Sequence, residues 1–173
     1  ENFIRILERN GVDLILCGHS HVYERSYLLN GHYGYEASFN LATHAISNSS
    51  AKYDNSSNSC PYTKKSPLST GTVYVVADSA GQLGGQQTGW PHNAMVYSNN
   101  LQGGGLALTI DGNRLDAEWV CSDGVIRDRF TILKDVNKKE IYTTLEGDSV
   151  SLVSSWNGAY NWTGGAITKQ VKV

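Results

Sequence analysis

A short apolar run that ends in a glycine and two histidines constrains the fold of this chain more than any other feature. The run, Leu14 to Cys17, has the length and composition of a strand buried on both faces, which makes Cys17 a small core residue. Gly18 then allows the backbone to turn sharply. His19 and His21 follow at a spacing that can direct both imidazoles into one cavity. The pattern predicts a functional site at the end of a buried strand.

The two histidines predict half of a metal site. Imidazole is the commonest protein ligand for borderline transition metals. A lone histidine is more often an ordinary core or surface residue, but a Gly-His-x-His directly after a strand favours ligation. Two ligands do not hold a catalytic metal tightly, so further ligands are required. We therefore predict that His19 and His21 are two ligands of a larger metal centre.

The stretch Gly18 to Arg25, which reads Gly-His-Ser-His-Val-Tyr-Glu-Arg, resembles the last metal-binding motif of the calcineurin-like metallophosphoesterases. Its Tyr-Glu-Arg ending is most similar to the purple acid phosphatase branch. In that branch the first histidine of the motif ligates one metal of a two-metal centre and the second ligates the other. The resemblance implies these roles for His19 and His21. It also implies a dinuclear cofactor, iron with zinc, manganese or a second iron, and a hydroxide activated by both metals that attacks phosphorus.

The family's three earlier motifs, Asp-x-His, Gly-Asp-x-x-Tyr and Gly-Asn-His-Glu/Asp, do not occur in this sequence. They normally precede the histidine motif, so we expect a C-terminal fragment of a catalytic domain, inactive by itself. Apolar residues at helical spacing in residues 2–10, with Gly11 as a C-cap, predict a helix that leads into the motif strand. Tyr23, Glu24 and Arg25 are expected to brace the motif loop rather than to react.

Two other histidines, His32 and His92, are weaker candidates for substrate binding. His32 lies in an aromatic, glycine-rich loop, and His92 follows Trp90 and a proline. The alternative for each is structural: His32 as a loop residue and His92 packed beside Trp90. His44 falls in a strand-like segment, residues 40–46, and is interpreted as a structural or surface residue.

The later sequence indicates a predominantly β fold with minor α content. Alternation of apolar and charged residues places Leu115, Ala117 and Trp119 on a core face. Two tight turns, Asp-Gly-Asn and Ser-Asp-Gly, separate three strand-like runs and predict an antiparallel meander. The resemblance implies the C-terminal part of an α/β metallophosphoesterase sandwich of the αββα type. The predicted segments are strands at 72–78, 106–110, 114–120 and 125–133, and a long polar loop at 47–70, either a lid or a surface insertion.

A charged junction at residues 134–140 suggests a domain boundary. We predict residues 1–134 as the metallophosphoesterase portion and 135–173 as a partial Ig-like or PKD-like module. Trp156, Tyr160 and Trp162 would form its aromatic core. The alternative is that these strands pack onto the preceding domain. The strands predicted in this part are 141–145, 150–154 and 166–173.

Composition restricts the location and the partners. A net charge of −2 gives no electrostatic footprint for nucleic acid, and no apolar stretch approaches a membrane span. Few charges and many Gly, Ser, Asn, Thr and Tyr residues are typical of secreted β-rich proteins, so we expect a secreted, periplasmic or cell-surface protein. A disulfide between Cys60 and Cys121 and three free thiols are equally open alternatives.

These observations predict part of a metal-dependent phosphatase that hydrolyses phosphomonoesters on a small molecule or a protein. Two alternatives remain open at this point. One is a phosphodiesterase or nucleotidase of the same family, because the motif fixes the metal centre and not the leaving-group pocket. The other is a non-catalytic β-rich binding or scaffold module with a vestigial histidine motif. The sequence does not specify the oligomeric state.

Overall fold

The computed structural model describes residues 2–52, 54, 56–65, 68, 70–136, 141–155 and 157–173, and strands dominate it, as the sequence predicts. The elements of this part of the chain are α1 (Asn2–Arg9), β1 (Leu14–Cys17), β2 (Tyr23–Ser26), a 3₁₀ turn (Glu36–Ser38), α2 (Leu41–His44), β3 (Tyr62–Lys64), β4 (Val73–Ala77), β5 (Met95–Asn99), β6 (Gly104–Asp111), β7 (Arg114–Cys121), β8 (Ile126–Lys134), β9 (Ser151–Val153) and β10 (Gln170–Lys172). None of the described helices has the length and apolar character needed to cross a membrane.

The first sheet has the strand order β1-β4-β2-β5 and carries the histidine motif. β1 and β4 run parallel, and β2 runs antiparallel to both β4 and β5. β1 is therefore an edge strand. Leu16 is 49% exposed and Cys17 is also exposed, because no described element covers that end of β1. The prediction of a strand buried on both faces, with Cys17 in the core, is wrong.

The second sheet has the order β3-β8-β7-β6 and contains the predicted meander. β6, β7 and β8 pair antiparallel in sequence, which confirms the prediction from the two tight turns. β3 adds to β8 in parallel, with Tyr62 opposite Ile132. β3 is not predicted from the sequence, because its three residues lie within the polar segment 47–70 and show no periodicity of their own.

The core lies between the two sheets. Val73 and Val75 of β4 are fully buried, as is Trp119 of β7, and Phe130 of β8 is 1% exposed. The ring of Tyr23 stacks on Trp119 at a centroid distance of 4.3 Å. Each fully buried large apolar side chain contributes about 1.5–3 kcal/mol relative to its exposed state. The predicted core face of β7 is confirmed.

The two helices illustrate one correct prediction and one error. α1 ends where expected, and Gly11 adopts a φ of 70°, the left-handed conformation that closes a helix with glycine. Residues 40–46, predicted as a strand, contain α2 instead. The Asn40 side chain accepts a hydrogen bond from the Ala42 amide at 2.9 Å, a cap that favours helix over strand.

The C-terminal strands β9 and β10 form a separate two-stranded antiparallel sheet. Residues 141–145, predicted as a strand, are irregular. Tyr160 and Trp162 are half-buried, so they do not form the predicted core, while Trp156 lies outside the described residues. The partial Ig-like or PKD-like module therefore stays a prediction. Residues 137–140 of the proposed boundary also lie outside the described part.

This C-terminal segment is hydrogen-bonded to the turn between β6 and β7. The Asn113 side-chain amide donates to the carbonyl of Ser155 at 2.6 Å, and that of Asn157 donates to the carbonyl of Asp111 at 3.3 Å. Of the two alternatives drawn from the sequence, these contacts favour packing onto the preceding part of the chain.

Cys17, Cys60 and Cys121 are all free thiols in the structure. Cys121 is buried in the core between the sheets, whereas Cys60 is exposed. The alternative of a Cys60–Cys121 disulfide is therefore not what the fold contains.

Candidate functional site

His19 and His21 lie in the loop between β1 and β2, at the carboxyl end of β1. Both have a positive φ, 83° for His19 and 42° for His21, which is uncommon for a residue with a side chain. His19 is exposed and His21 is half-buried. Backbone strain of this kind persists where the surrounding structure imposes it, and it occurs preferentially at functional sites.

Asp78 holds this loop in place. It follows β4, the parallel neighbour of β1, and its Oδ2 accepts a hydrogen bond from the His19 backbone amide at 2.5 Å. A Cβ at Gly18 would lie 3.0 Å from the Asp78 carboxyl carbon, so glycine allows the close approach. Asp78 is not among the residues predicted from the sequence. The signal was present, because the carboxyl ends of parallel strands meet at the same edge of a sheet.

The glycine-rich loop after β4 also contacts the histidine loop. The Gly84 amide donates to the carbonyl of His21 at 2.8 Å. A Cβ at Gly84 would lie 3.0 Å from the Ser20 carbonyl oxygen and 3.2 Å from the Cβ of His21. The backbones of the two loops therefore pack directly together, and the position of His21 is fixed from two sides.

The described residues contain two imidazoles that could ligate a metal, but they contain no complete metal-binding group. Among them there is no group of three or more His, Cys, Asp or Glu side chains arranged to hold a metal ion. The imidazoles of His19 and His21 make no hydrogen bond within the described part of the chain, so their nitrogens are open to another partner. Two imidazoles suit a borderline transition metal and could fill two of its ligand positions.

A buried ionic network anchors β2, the strand that continues from the motif. Arg25 is fully buried and binds Asp128 of β8 through two hydrogen bonds, of 2.7 Å from Nε and 2.8 Å from Nη2. Its Nη1 donates to Tyr62 at 2.5 Å, and Tyr23 donates to Asp128 at 2.9 Å. Burial, followed by the charge of Asp128, raises the pKa of Tyr23 far above its usual value. Tyr23 and Arg25 thus brace the motif, as expected.

Glu24 instead faces a cavity of about 220 Å³ beside the histidine loop. Ser20, Trp90 and His92 also line this cavity. Glu24 is 7% exposed, and burial raises the pKa of its carboxyl group, although a hydrogen bond from the Ser98 hydroxyl at 3.3 Å opposes the shift. The Trp90 indole N–H also lowers the pKa of the Glu24 carboxyl group and favours the ionised carboxylate. The Trp90 Nε1 atom is buried without an acceptor within the described chain.

Three imidazoles and one phenyl ring cluster beside this cavity. The ring of His32 lies 4.9 Å from that of His44, 5.8 Å from that of His92 and 5.3 Å from that of Phe39, between centroids. Burial and the other two imidazoles lower the pKa of His32. Of the two weaker substrate-binding candidates, His92 lines the cavity. His32 is not among the lining residues, but its ring contacts the ring of His92. His44, interpreted as a structural residue, belongs to the same cluster.

The chain is a protein of two packed β-sheets. A strained histidine loop follows β1, beside the carboxyl end of the parallel strand β4. Among solved structures, the fold is similar to part of a purple acid phosphatase, PPD1, isolated from yellow lupin (Lupinus luteus) seeds, with 21% sequence identity and a TM-score of 0.54. The similar region covers 86% of this chain and 23% of that one, so the chain spans about a quarter of the length of the plant protein. This likeness is one of fold. No protein-family model and no curated protein sequence matches the chain.

Proposed function

We propose that this chain is part of a metal-dependent phosphatase that hydrolyses phosphomonoesters. In this proposal His19 and His21 each provide one ligand to a two-metal centre. The observation that carries the proposal is the pair of strained histidines that follows β1. Asp78, at the end of the parallel strand β4, holds their loop through the His19 backbone amide. The similarity in fold to part of a purple acid phosphatase supports it.

The chain's own residues would position this centre. Asp78 and Gly84 hold the backbone of the histidine loop, and Arg25 with Asp128 fixes the following strand to the second sheet. The metals, proposed to be iron with zinc, manganese or a second iron, would neutralise charge on the phosphoryl oxygens. The remaining ligands would come from residues outside these 173. We further propose a secreted, periplasmic or cell-surface location.

Metal binding to the purified chain tests the role of the two histidines. Titration with zinc, measured by calorimetry, should show weak binding to the parent chain. His19→Ala and His21→Ala should each weaken this binding about tenfold or abolish it, because an incomplete set of ligands has no further donor to replace the one that is lost. His44→Ala is the matched control and should bind as the parent does. Binding that is absent from the parent, or unchanged in both variants, would contradict the proposal and favour a binding module with a vestigial motif.

The chain alone should not catalyse phosphate ester hydrolysis. With p-nitrophenyl phosphate and added iron, zinc or manganese, we expect no turnover above that of the metal in buffer, since the described residues contain no complete metal-binding group. The release of p-nitrophenol measures the rate. Turnover that disappears in His19→Ala would show that this chain holds a complete centre.

A further inference from the structure

The cavity beside the histidine loop presents both hydrogen-bond acceptors and hydrogen-bond donors. Glu24 contributes a carboxylate, which accepts hydrogen bonds, and Trp90 contributes an indole N–H that lacks an acceptor within the described chain. The Nδ1 of His92 accepts a hydrogen bond from the Ala94 amide at 3.0 Å. The proton of the neutral ring is therefore on Nε2, and this nitrogen is a donor. Hydroxyl and amide groups of Ser20 and Gln87 add further donors and acceptors.

This mixture argues against a charged ligand. A carboxylate or a fully ionised phosphate ester only accepts hydrogen bonds and would meet the buried Glu24 carboxylate. No lysine or arginine occurs among the described residues that line the cavity. An ammonium group only donates and would meet the N–H groups of Trp90 and His92. A hydroxyl group both donates and accepts, so it can satisfy both sides.

The size and the position of the cavity agree with a small organic group. A volume of about 220 Å³ corresponds to ~7 water molecules, enough for a polyol or one sugar ring. The half-buried Trp90 ring supplies an apolar surface for the carbon skeleton. Ser20, which lines the cavity, lies between His19 and His21 in the sequence, so a group bound here is adjacent to the histidine loop.

We propose that this cavity binds the neutral, hydroxyl-bearing organic half of the phosphate ester, a polyol or sugar, and that Glu24 and Trp90 determine this preference. The substrate class rests on the proposed phosphatase function, but occupation of the cavity by a polyol needs no metal. The phosphate group itself would lie outside the cavity, at the histidine loop.

Nuclear magnetic resonance of the metal-free chain tests the proposal. The indole N–H signal of Trp90 is identified by its loss in Trp90→Phe, and myo-inositol is the probe. We expect a saturable shift of this signal with a dissociation constant in the millimolar range, and at least fivefold weaker binding in Glu24→Gln. Glu118→Gln, at a half-exposed carboxylate on β7, is the matched control and should bind as the parent does.

Two probes distinguish the ligand classes. Ethylammonium and inorganic phosphate should not shift the Trp90 signal to saturation, and a saturable shift with either would overturn the assignment to hydroxyl groups. No saturable shift with myo-inositol, or equal affinity in Glu24→Gln, would also overturn it. If circular dichroism shows that Glu24→Gln does not fold, the Trp90→Phe variant replaces it. Its affinity for myo-inositol is then measured by saturation-transfer difference spectroscopy, and the same loss of affinity is expected.

The same titration in His19→Ala separates this inference from the proposed function. One outcome is that myo-inositol still binds, but zinc binding to the parent chain does not depend on the histidines. That outcome would contradict the phosphatase proposal and leave the inference about the cavity intact. Zinc binding that depends on His19 and His21, without any inositol binding, would overturn the inference about the cavity alone.

Discussion

At the residue scale, the buried pair of Arg25 and Asp128 is the contact whose loss we expect to lower the free energy of unfolding most. Both side chains are almost inaccessible to solvent, at 0% and 1% exposure, and the pair joins the strand that follows the motif to the second sheet. Replacing such a pair with apolar residues can be neutral, but removing one partner leaves a buried charge without compensation. The pair therefore restricts which single substitutions the fold tolerates.

Asp128→Asn should lower the free energy of unfolding by about 3–5 kcal/mol, because Arg25 would keep its charge without an ionic partner. Urea denaturation followed by circular dichroism measures the change. The matched control is Asp123→Asn, which removes the solvent-screened surface pair with Arg127 and should change the free energy of unfolding far less. Similar losses in the two variants would contradict the interpretation of the Arg25 pair.

His32 should make stability depend on pH below neutrality. Burial and the imidazoles of His44 and His92 lower the pKa of His32 below 6.5, whereas Glu8 acts in the opposite direction. The unfolded chain therefore binds more protons than the folded one as the pH falls below 6.5, and stability declines through the lowered pKa. The melting temperature should fall less between pH 7.5 and pH 5 in His32→Gln than in the parent. Equal decreases in melting temperature would show that the neighbouring rings of His44 and His92 do not oppose protonation of His32.

At the scale of single elements, α2 connects the local sequence to the histidine cluster. The backbone amide of Asn40 donates to Nδ1 of His44 at 2.9 Å, and the Asn40 side chain caps the helix at Ala42. One residue thus both begins the helix and orients the ring that contacts His32. The position of His44 depends on this short helix.

Asn40→Ala should destabilise the chain by about 1 kcal/mol, the usual cost of losing a helix N-cap. Urea denaturation gives the change. The chemical shifts of the imidazole protons of His32 and His92 should also move, because the uncapped helix no longer fixes the position of His44. Asn161→Ala, at an exposed position near the C-terminus, is the control and should change neither property. Unchanged stability in Asn40→Ala would show that the cap does not hold α2.

At the scale of the whole molecule, the two-sheet core and the C-terminal hairpin, formed by β9 and β10, differ in how deeply their side chains are buried. None of the described residues from 141 to 173 is buried, whereas Val136 is fully buried and its amide donates to the Lys64 carbonyl at 3.3 Å. The hydrogen bonds from Asn113 and Asn157 join the hairpin to the core, although no described side chain of the hairpin is fully buried. The core should therefore fold without the hairpin.

A chain that ends at Val136 should retain one cooperative thermal transition, with a melting temperature within a few degrees of the parent. Differential scanning calorimetry measures it, and dispersion of the methyl signals in proton spectra confirms the intact core. A chain that ends at Thr131 removes buried residues of β8 and should unfold, which provides the comparison. Loss of the transition in the longer variant would show that residues 137–173 are part of the folding unit.

The sequence determined those features that depend on neighbouring residues. The alternation in β7 and the two tight turns fixed the meander β6 to β8, because side chains alternate across a strand and turns have residue preferences. Gly11 closed α1 for a similarly local reason. The glycine and two histidines after β1 also identified the candidate site.

Only the tertiary structure decided the features that join distant parts of the chain. It places β1 at an edge, pairs β3 with β8, sets Asp78 against the histidine loop and joins Arg25 to Asp128, 103 positions away. The cavity at Glu24 and the ring cluster around His32 likewise combine segments that no local pattern relates. These contacts depend on how the two sheets and their loops pack, and packing is determined by the whole chain rather than by any one stretch of it.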